Sequence, residues 1–272
     1  MAINGATHIY GIMGNPVTHS LSPAMHNAAF AELGLNCAYV PFPVQDVASA
    51  MYGFKALNIK GVSVTIPHKQ AVIPYLDTID PVAKNIGAVN TLQIIDNRIS
   101  GFNTDWQGAN RALQQVAELP GKSVLILGAG GSARAIGFGL LENRAQVTIA
   151  SRTASSGQSL AKALNCPWLP LSEAGNVQAD ILINATSVGM RPNHDLSPID
   201  KKVLVNFSIV MDIVYAPLQT KLLRDSKLVG CKTINGTEML LYQGAHQFEL
   251  WTGLAAPIEV MRKQLLNAIQ SA

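Results

Sequence analysis

Small residues carry the clearest chemical signal in this chain. Gly128-Ala129-Gly130-Gly131-Ser132-Ala133 follows an apolar, strand-forming run from Ser123 to Leu127 and precedes apolar residues at helical spacing from Ala135 to Leu141. Strand, glycine turn and helix is the setting in which a Gly-x-Gly-x-x-Gly/Ala pattern binds a dinucleotide. Gly128 permits the tight turn, Gly130 lets the backbone approach a pyrophosphate, and Ala133 takes the small position where helix packs on strand. The unpaired N–H groups and the dipole at the helix start then hold the phosphates. A glycine turn can also do no more than join strand to helix; having both flanks favours the dinucleotide site.

The kind of dinucleotide is read further along. A site selective for NAD usually places Asp or Glu about 20 residues beyond the glycine turn, against the ribose 2′-hydroxyl. That position here reads Ser151-Arg152-Thr153, with Ser155 and Ser156 following. No carboxylate repels a 2′-phosphate, Arg152 offers a planar charged fork, and the hydroxyls offer donors. An arginine after a strand is common on protein surfaces, but its position and the missing acid point to NADP.

Hydride chemistry on a carbonyl needs a group that passes a proton. Zinc would need clustered Cys or His, and the six histidines and three cysteines show no such grouping, so no metal is expected. A Tyr-x-x-x-Lys pair is absent. Two polar residues at strand ends remain: Lys69 after Thr65-Ile66-Pro67-His68, and Asp105 after Asn103-Thr104. A Lys beside an Asp can hold an ordered proton-transfer pair. Spacing alone leaves each equally readable as a solvated surface charge.

Elements must position these residues. Strands are expected at His8–Met13, Cys37–Val44, Val62–Ile66, Ala88–Ile95 and Arg98–Phe102. Helices are expected at Pro23–Leu33, with Ser22 as its N-cap, and at Asp46–Leu57; Pro67-His68-Lys69 ends the third strand, and helical material follows through Asn85. A helix from Asp105 to Leu119 leads into a second unit with strands at 123–127, 146–150, 180–186, 210–214 and 232–234. Parallel strands alternating with helices give a doubly wound sheet. From Glu238 the pattern is helical to the end, broken around Thr252 to Pro257. So long an apolar helical face implies that it returns to the first domain. The expected architecture is α/β with two domains: 1–104, completed by 238–272, and a Rossmann-type domain over 105–237.

Composition bounds the remainder. The 272 residues are 48% hydrophobic and 14% charged with a net charge of +3, ordinary for a soluble protein. No Lys/Arg run suggests a nucleic-acid partner, and no apolar stretch reaches the length of a membrane span. Met1 to Thr7 carries neither the basic start nor the apolar core of a signal peptide. Cys37, Cys166 and Cys231 are scattered and read as small apolar residues in a reducing cytosol, so a cytoplasmic protein is expected.

Taken in order, several motifs resemble those of the shikimate dehydrogenase family. These are Gly14-Asn15-Pro16 with Ser20-Leu21-Ser22-Pro23, then Val64-Thr65-Ile66-Pro67-His68-Lys69, Gly87-Ala88-Val89-Asn90-Thr91 and Asn103-Thr104-Asp105. Gly128 to Arg134, Asn184-Ala185-Thr186-Ser187 and Gln243-Gly244-Ala245 follow. The resemblance covers nearly the whole chain and implies reversible, NADPH-dependent reduction of 3-dehydroshikimate to shikimate on the route to chorismate. It implies Lys69 and Asp105 as the catalytic pair, Ser20, Ser22 and Tyr215 on the substrate carboxylate, and Thr65, Asn90 and Gln243 on the ring hydroxyls. It also implies that Gly128, Ala129, Gly130, Gly131, Ser132, Ser151, Arg152 and Thr153 bind the cofactor, with Ile213 and Gly236 flanking the nicotinamide. Two departures stand out: Ser151-Arg152-Thr153-Ala154-Ser155-Ser156 stands where the family often has Asn-Arg-Thr-x-x-Arg/Lys, so the second cation is missing and NAD is left as a weaker alternative, and Ser63 stands where many members have Asn. A quinate/shikimate enzyme using both cofactors is the near alternative, and a non-catalytic nucleotide-binding regulator the remote one. The expected partner is a small-molecule substrate, with the protein a monomer or homodimer.

Overall fold

The computed structural model describes residues 3–270. Its backbone divides into two units: 1–104 with 243–272, and 105–242. The expectations for Met1, at the start of the N-terminal segment, lie outside the described residues.

The first unit is built on β1 (His8–Gly14), β2 (Cys37–Pro43), β3 (Gly61–Val64), β4 (Thr78–Ile79), β5 (Thr91–Ile95) and β6 (Arg98–Phe102), in the spatial order β2-β1-β3-β5-β6-β4. β1 pairs in parallel with β2 and β3, and β5 runs antiparallel to both β3 and β6. The β5–β6 hairpin turns at Asp96-Asn97, both at positive φ, where short polar side chains are best tolerated. Helices α1 (Ser22–Glu32), α2 (Val47–Ala56) and α3 (Pro81–Ile86) complete the layers. The core under α2 gathers Val62, Val64, Val89, Leu92 and Ile99 from the strands with Met51 and Phe54 from the helix. At the end of the chain α9 (Ile258–Gln270) packs on α1, as the long helical pattern implied.

Two expectations are corrected in this unit. Ser22 is not a helix cap: Leu21 holds that position with no side-chain bond, and Ser22 is the first helical residue, its side chain buried. The stretch from Gln70 to Asn85 is helical only in part. It is a turn, a short 3-10 segment at Ile73–Tyr75, β4 and then α3. Pro74 and Pro81 cannot donate to a helix ladder, and Asp80 caps α3 by accepting from Val82 and Ala83 N–H groups.

The second unit holds β7 (Ser123–Leu127), β8 (Gln146–Ser151), β9 (Trp168–Pro170), β10 (Ile181–Asn184), β11 (Ile209–Asp212) and β12 (Lys232–Ile234), ordered β12-β11-β10-β7-β8-β9 and parallel throughout. That is the doubly wound dinucleotide-binding order, reversing direction at β7. The central strands β7, β10 and β11 are buried on both faces and accordingly read as near-continuous apolar runs. Helices α4 (Asp105–Gln114), α5 (Gly131–Glu142), α6 (Ala154–Leu164) and α7 (Lys221–Leu228) cover the sheet. Strand β9 was not expected, being three residues set between prolines. Helix α4 stops at Gln114, short of Leu119. Helix α8 (Gly236–Thr252) gives its residues up to Tyr242 to this unit and the rest to the first.

Candidate active site

In the first unit the expected substrate residues converge on the ends of β1, β3 and β5. Lys69 is half-buried, and its main-chain oxygen accepts from Val89 N–H at 2.8 Å, which fixes it one residue from Asn90. Thr65, also half-buried, has its N–H bonded to Met13 O at 2.9 Å. Asn90 is buried and its side chain is a hub. Its Oδ1 accepts from Thr104 N (2.8 Å) and Thr91 Oγ1 (2.7 Å), while its Nδ2 donates to Thr104 Oγ1 (3.0 Å) and Gln243 Oε1 (3.3 Å). Asn90 and Gln243 are thus brought together by contacts the sequence spacing does not reveal. Ser20 Oγ accepts from Ser22 N at 3.3 Å.

Behind this hub lies polar structure the sequence reading missed. Tyr39 Oη donates to Ser63 Oγ (2.7 Å), Ser63 Oγ donates to Gln247 Oε1 (2.7 Å), and Gln247 Nε2 donates to Asn90 O (3.1 Å) and Thr91 Oγ1 (2.9 Å). Burial pushes the Tyr39 phenol well above its usual range. His26, fully buried, stacks on Tyr39 with ring centroids 4.5 Å apart and an interplanar angle of 7°. Burial pushes its imidazole down to about 3, so it is neutral. The signal that could have exposed this cluster is Gln243 and Gln247, four apart on one face of α8.

Asp105 opens the second unit as the first residue of α4, with 4% of its surface exposed. The glycine turn follows β7. Gly128 has φ +112°, outside the range of other residues, and a Cβ there would press on Ala185 O and Thr186 Cγ2 at 3.0 Å. Gly130, at the N-cap of α5, contributes no side-chain cap, and a Cβ there would meet nothing within 4 Å. An open approach to uncapped helix N–H groups is what a bound pyrophosphate needs, so Gly128, Ala129, Gly130, Gly131 and Ser132 fit a dinucleotide. After β8, Arg152 and Thr153 are exposed. Ser151 is buried, its hydroxyl donating to Thr153 O and accepting from Trp168 Nε1, both at 3.0 Å. Its hydroxyl shapes the turn that presents Arg152.

Ile213 and Gly236 are adjacent: a Cβ on Gly236 would fall onto the Ile213 carbonyl, 2.5 Å from Ile213 C and 2.7 Å from Val214 C. The segment is held by Asp212, fully buried, which accepts from Asn184 Nδ2 (3.0 Å), Val214 N (3.0 Å) and Thr220 Oγ1 (2.7 Å). Burial outweighs these donors and pushes the Asp212 carboxyl up to about 6. Asn184 Oδ1 in turn accepts from Thr186 N and Oγ1, so the Asn184-Ala185-Thr186 motif ties the loops after β10 and β11 together. Tyr215 is half-buried, and desolvation raises its phenol.

A doubly wound sheet with an open glycine turn, in one chain with a unit rich in converging amides and hydroxyls, is the architecture of a dinucleotide-dependent enzyme. Residues 12–92 match the shikimate dehydrogenase substrate binding domain, 110–192 the shikimate / quinate 5-dehydrogenase model, and 236–266 the shikimate 5'-dehydrogenase C-terminal domain. The shikimate dehydrogenase (NADP(+)) of Pyrococcus furiosus is 47% identical over 266 residues, covering 97% of each chain. That of Pyrococcus abyssi is 44% identical, covering 96% of this chain and 98% of its own. A solved shikimate dehydrogenase in complex with NADP+ superposes with a TM-score of 0.91 at 42% identity, covering 98% of each chain. The Thermus thermophilus enzyme in complex with NADP(H) and shikimate superposes at 0.88 with 37% identity, covering 96% of this chain and 99% of its own. The chain belongs to the shikimate dehydrogenase family.

Proposed function

We propose that the protein catalyses the reversible reduction of 3-dehydroshikimate to shikimate with NADPH, a step toward chorismate and the aromatic amino acids. The observation that carries this reading is family likeness over almost the full chain, with the motif residues of both ligand sites present. When bound, NADPH supplies the hydride. The Gly128–Ser132 turn and the first N–H groups of α5 hold its pyrophosphate. Arg152, with Thr153 and the turn shaped by Ser151, takes the 2′-phosphate, and Ile213 and Gly236 flank the nicotinamide.

Lys69 is the proton carrier. Its ammonium gives a proton to the reacting oxygen during reduction and recovers it during oxidation. Asp105 is the partner carboxylate that orients it and bonds the neighbouring hydroxyl. Asn90, Thr65 and Gln243 bind the ring hydroxyls through amide and hydroxyl groups. Ser20, Ser22 and Tyr215 bind the carboxylate through O–H donors.

The reading includes a cytoplasmic protein acting as a monomer or homodimer. In support, Cys37, Cys166 and Cys231 are free thiols, as a reducing compartment keeps them. No described helix is long and apolar enough to cross a membrane. The test of function is incubation of the protein with NADPH and 3-dehydroshikimate, following loss of NADPH absorbance and identifying the product by chromatography. Shikimate forming in step with NADPH loss is expected; no NADPH oxidation contradicts the reading.

A further inference from the structure

The Tyr39–Ser63–Gln247–Thr91 cluster touches Asn90 yet has no part in the reading above. Its contacts admit one direction only. Gln247 faces the main-chain oxygen of Asn90 at 3.1 Å, so that end of its side chain must be the NH₂ group. Its other end, Oε1, therefore accepts, and Ser63 Oγ at 2.7 Å must donate to it. Ser63 has spent its single hydrogen, so Tyr39 Oη at 2.7 Å must donate to Ser63. On the far side Gln247 Nε2 donates to Thr91 Oγ1 at 2.9 Å, leaving the Thr91 hydrogen for Asn90 Oδ1 at 2.7 Å. Asn90 Oδ1 is thus engaged on the Thr91 and Thr104 side, and its NH₂ group is turned toward Gln243. Ser63, Asn90 and Gln247 are almost fully buried and Thr91 wholly so, so no step exchanges freely with water, and a broken step leaves a buried group unpaired.

We propose that Gln247 is a positioning residue that acts through Thr91, alongside the Thr104 N–H, to hold the orientation of the Asn90 amide, with Tyr39 and Ser63 fixing Gln247 in turn. The proposal rests on the reading of Asn90 as a substrate-binding residue. It also gives Ser63 its task. The hydroxyl at this position is used inside the relay, between Tyr39 and Gln247. An amide flip at Asn90 would present Oδ1 where Nδ2 now stands and place two amide oxygens against each other at Gln243.

Thr91→Val removes the hydroxyl at nearly constant volume, and Thr91→Ser keeps it. With Thr91→Val the KM for shikimate should rise about tenfold, the worth of one good hydrogen bond to a fixed group, with kcat and the KM for NADP+ within about twofold. Thr91→Ser should return the shikimate KM to within about twofold of the parent, and the Asn90 side-chain NH₂ resonances should shift in Thr91→Val and not in Thr91→Ser. Tyr39→Phe, one step further out, should raise the same KM about threefold and serves if Thr91→Val does not fold. Unchanged shikimate KM in Thr91→Val, or equal loss in Thr91→Val and Thr91→Ser, overturns the proposal. Asn90→Ala separates the two levels: if it leaves the shikimate KM unchanged, the reading of Asn90 fails; if it raises that KM while Thr91→Val does not, only the relay fails.

Discussion

Gly236→Ala is the most demanding perturbation of the cofactor side. The new Cβ would sit 2.5 Å from Ile213 C and 2.7 Å from Val214 C, with the Ile213 oxygen nearer still. Carbon atoms in contact sit about 3.5 Å apart, so something must yield by about 1 Å. The obstructing atoms are backbone, so no side-chain rotation relieves the clash. The Gly236 N–H to Val214 O bond, already 3.3 Å long, would be lost as the segments separate. A displacement of that size at residues proposed to flank the reacting ring should cost about 100-fold in kcat, with about 1–3 kcal/mol of stability. The assay is steady-state NADP+ reduction by shikimate beside a urea unfolding curve, with Gly130→Ala as the contrast. A Cβ at Gly130 meets nothing within 4 Å and its φ of −84° suits alanine. That variant should keep its unfolding midpoint while losing NADP+ affinity about tenfold or more, because the methyl enters the pyrophosphate approach. If Gly236→Ala keeps kcat within about threefold at unchanged stability, the 213–215 segment does not need its observed position, and its assignment beside the nicotinamide is refuted.

Three further expectations follow from the same chemistry. Lys69→Ala should lower kcat by about 100-fold or more while leaving NADPH affinity by fluorescence titration unchanged; near-normal turnover removes Lys69 from catalysis. Arg152→Ala should raise the KM for NADPH about tenfold or more and that for NADH little, and equal effects would show that Arg152 does not read the 2′-phosphate. Asp212 gives a pH signature. Its carboxyl is raised to about 6 from 3.8, so the folded chain keeps a proton that the unfolded chain has lost. Stability should therefore fall by up to about 3 kcal/mol as pH rises from about 4 to 6 and level off above, a slope that Asp212→Asn should abolish. Parallel urea-midpoint profiles for the two proteins would contradict this. Asp180, held down to about 2 by Lys122 and Ser123, contributes the opposite slope and only in more acid solution.

What could be read from the sequence was what depends on local periodicity and backbone permission. The Gly128–Ser132 turn is recognisable because a strand must turn sharply into a helix there, and only glycine accepts the φ that Gly128 adopts. The doubly wound sheet follows from apolar strands spaced by helices. The reading erred where local cues were ambiguous. Ser22 before Pro23 looks like a cap, yet it is the first residue of the helix itself and is buried. The 70–85 stretch is only partly helical because Pro74 and Pro81 break it. The Asn90 relay was out of reach for a different reason. Ser63 and Gln247 are separated by 184 residues, and no periodicity reports that a serine on β3 will meet a glutamine on α8. Residues on one short motif are read together from the sequence; the buried groups that meet them, such as Gln247 on Asn90, arrive by long-range packing.

The central claim is that one chain joins an NADP site to a shikimate site, and it is tested most directly by measuring kcat/KM for shikimate and for quinate with each of NADP+ and NAD+. The structure predicts the highest value for shikimate with NADP+, with NAD+ weaker by about tenfold or more because Arg152 faces no 2′-phosphate. Higher activity with quinate, equal activity with both nucleotides, or no turnover in any combination would contradict it.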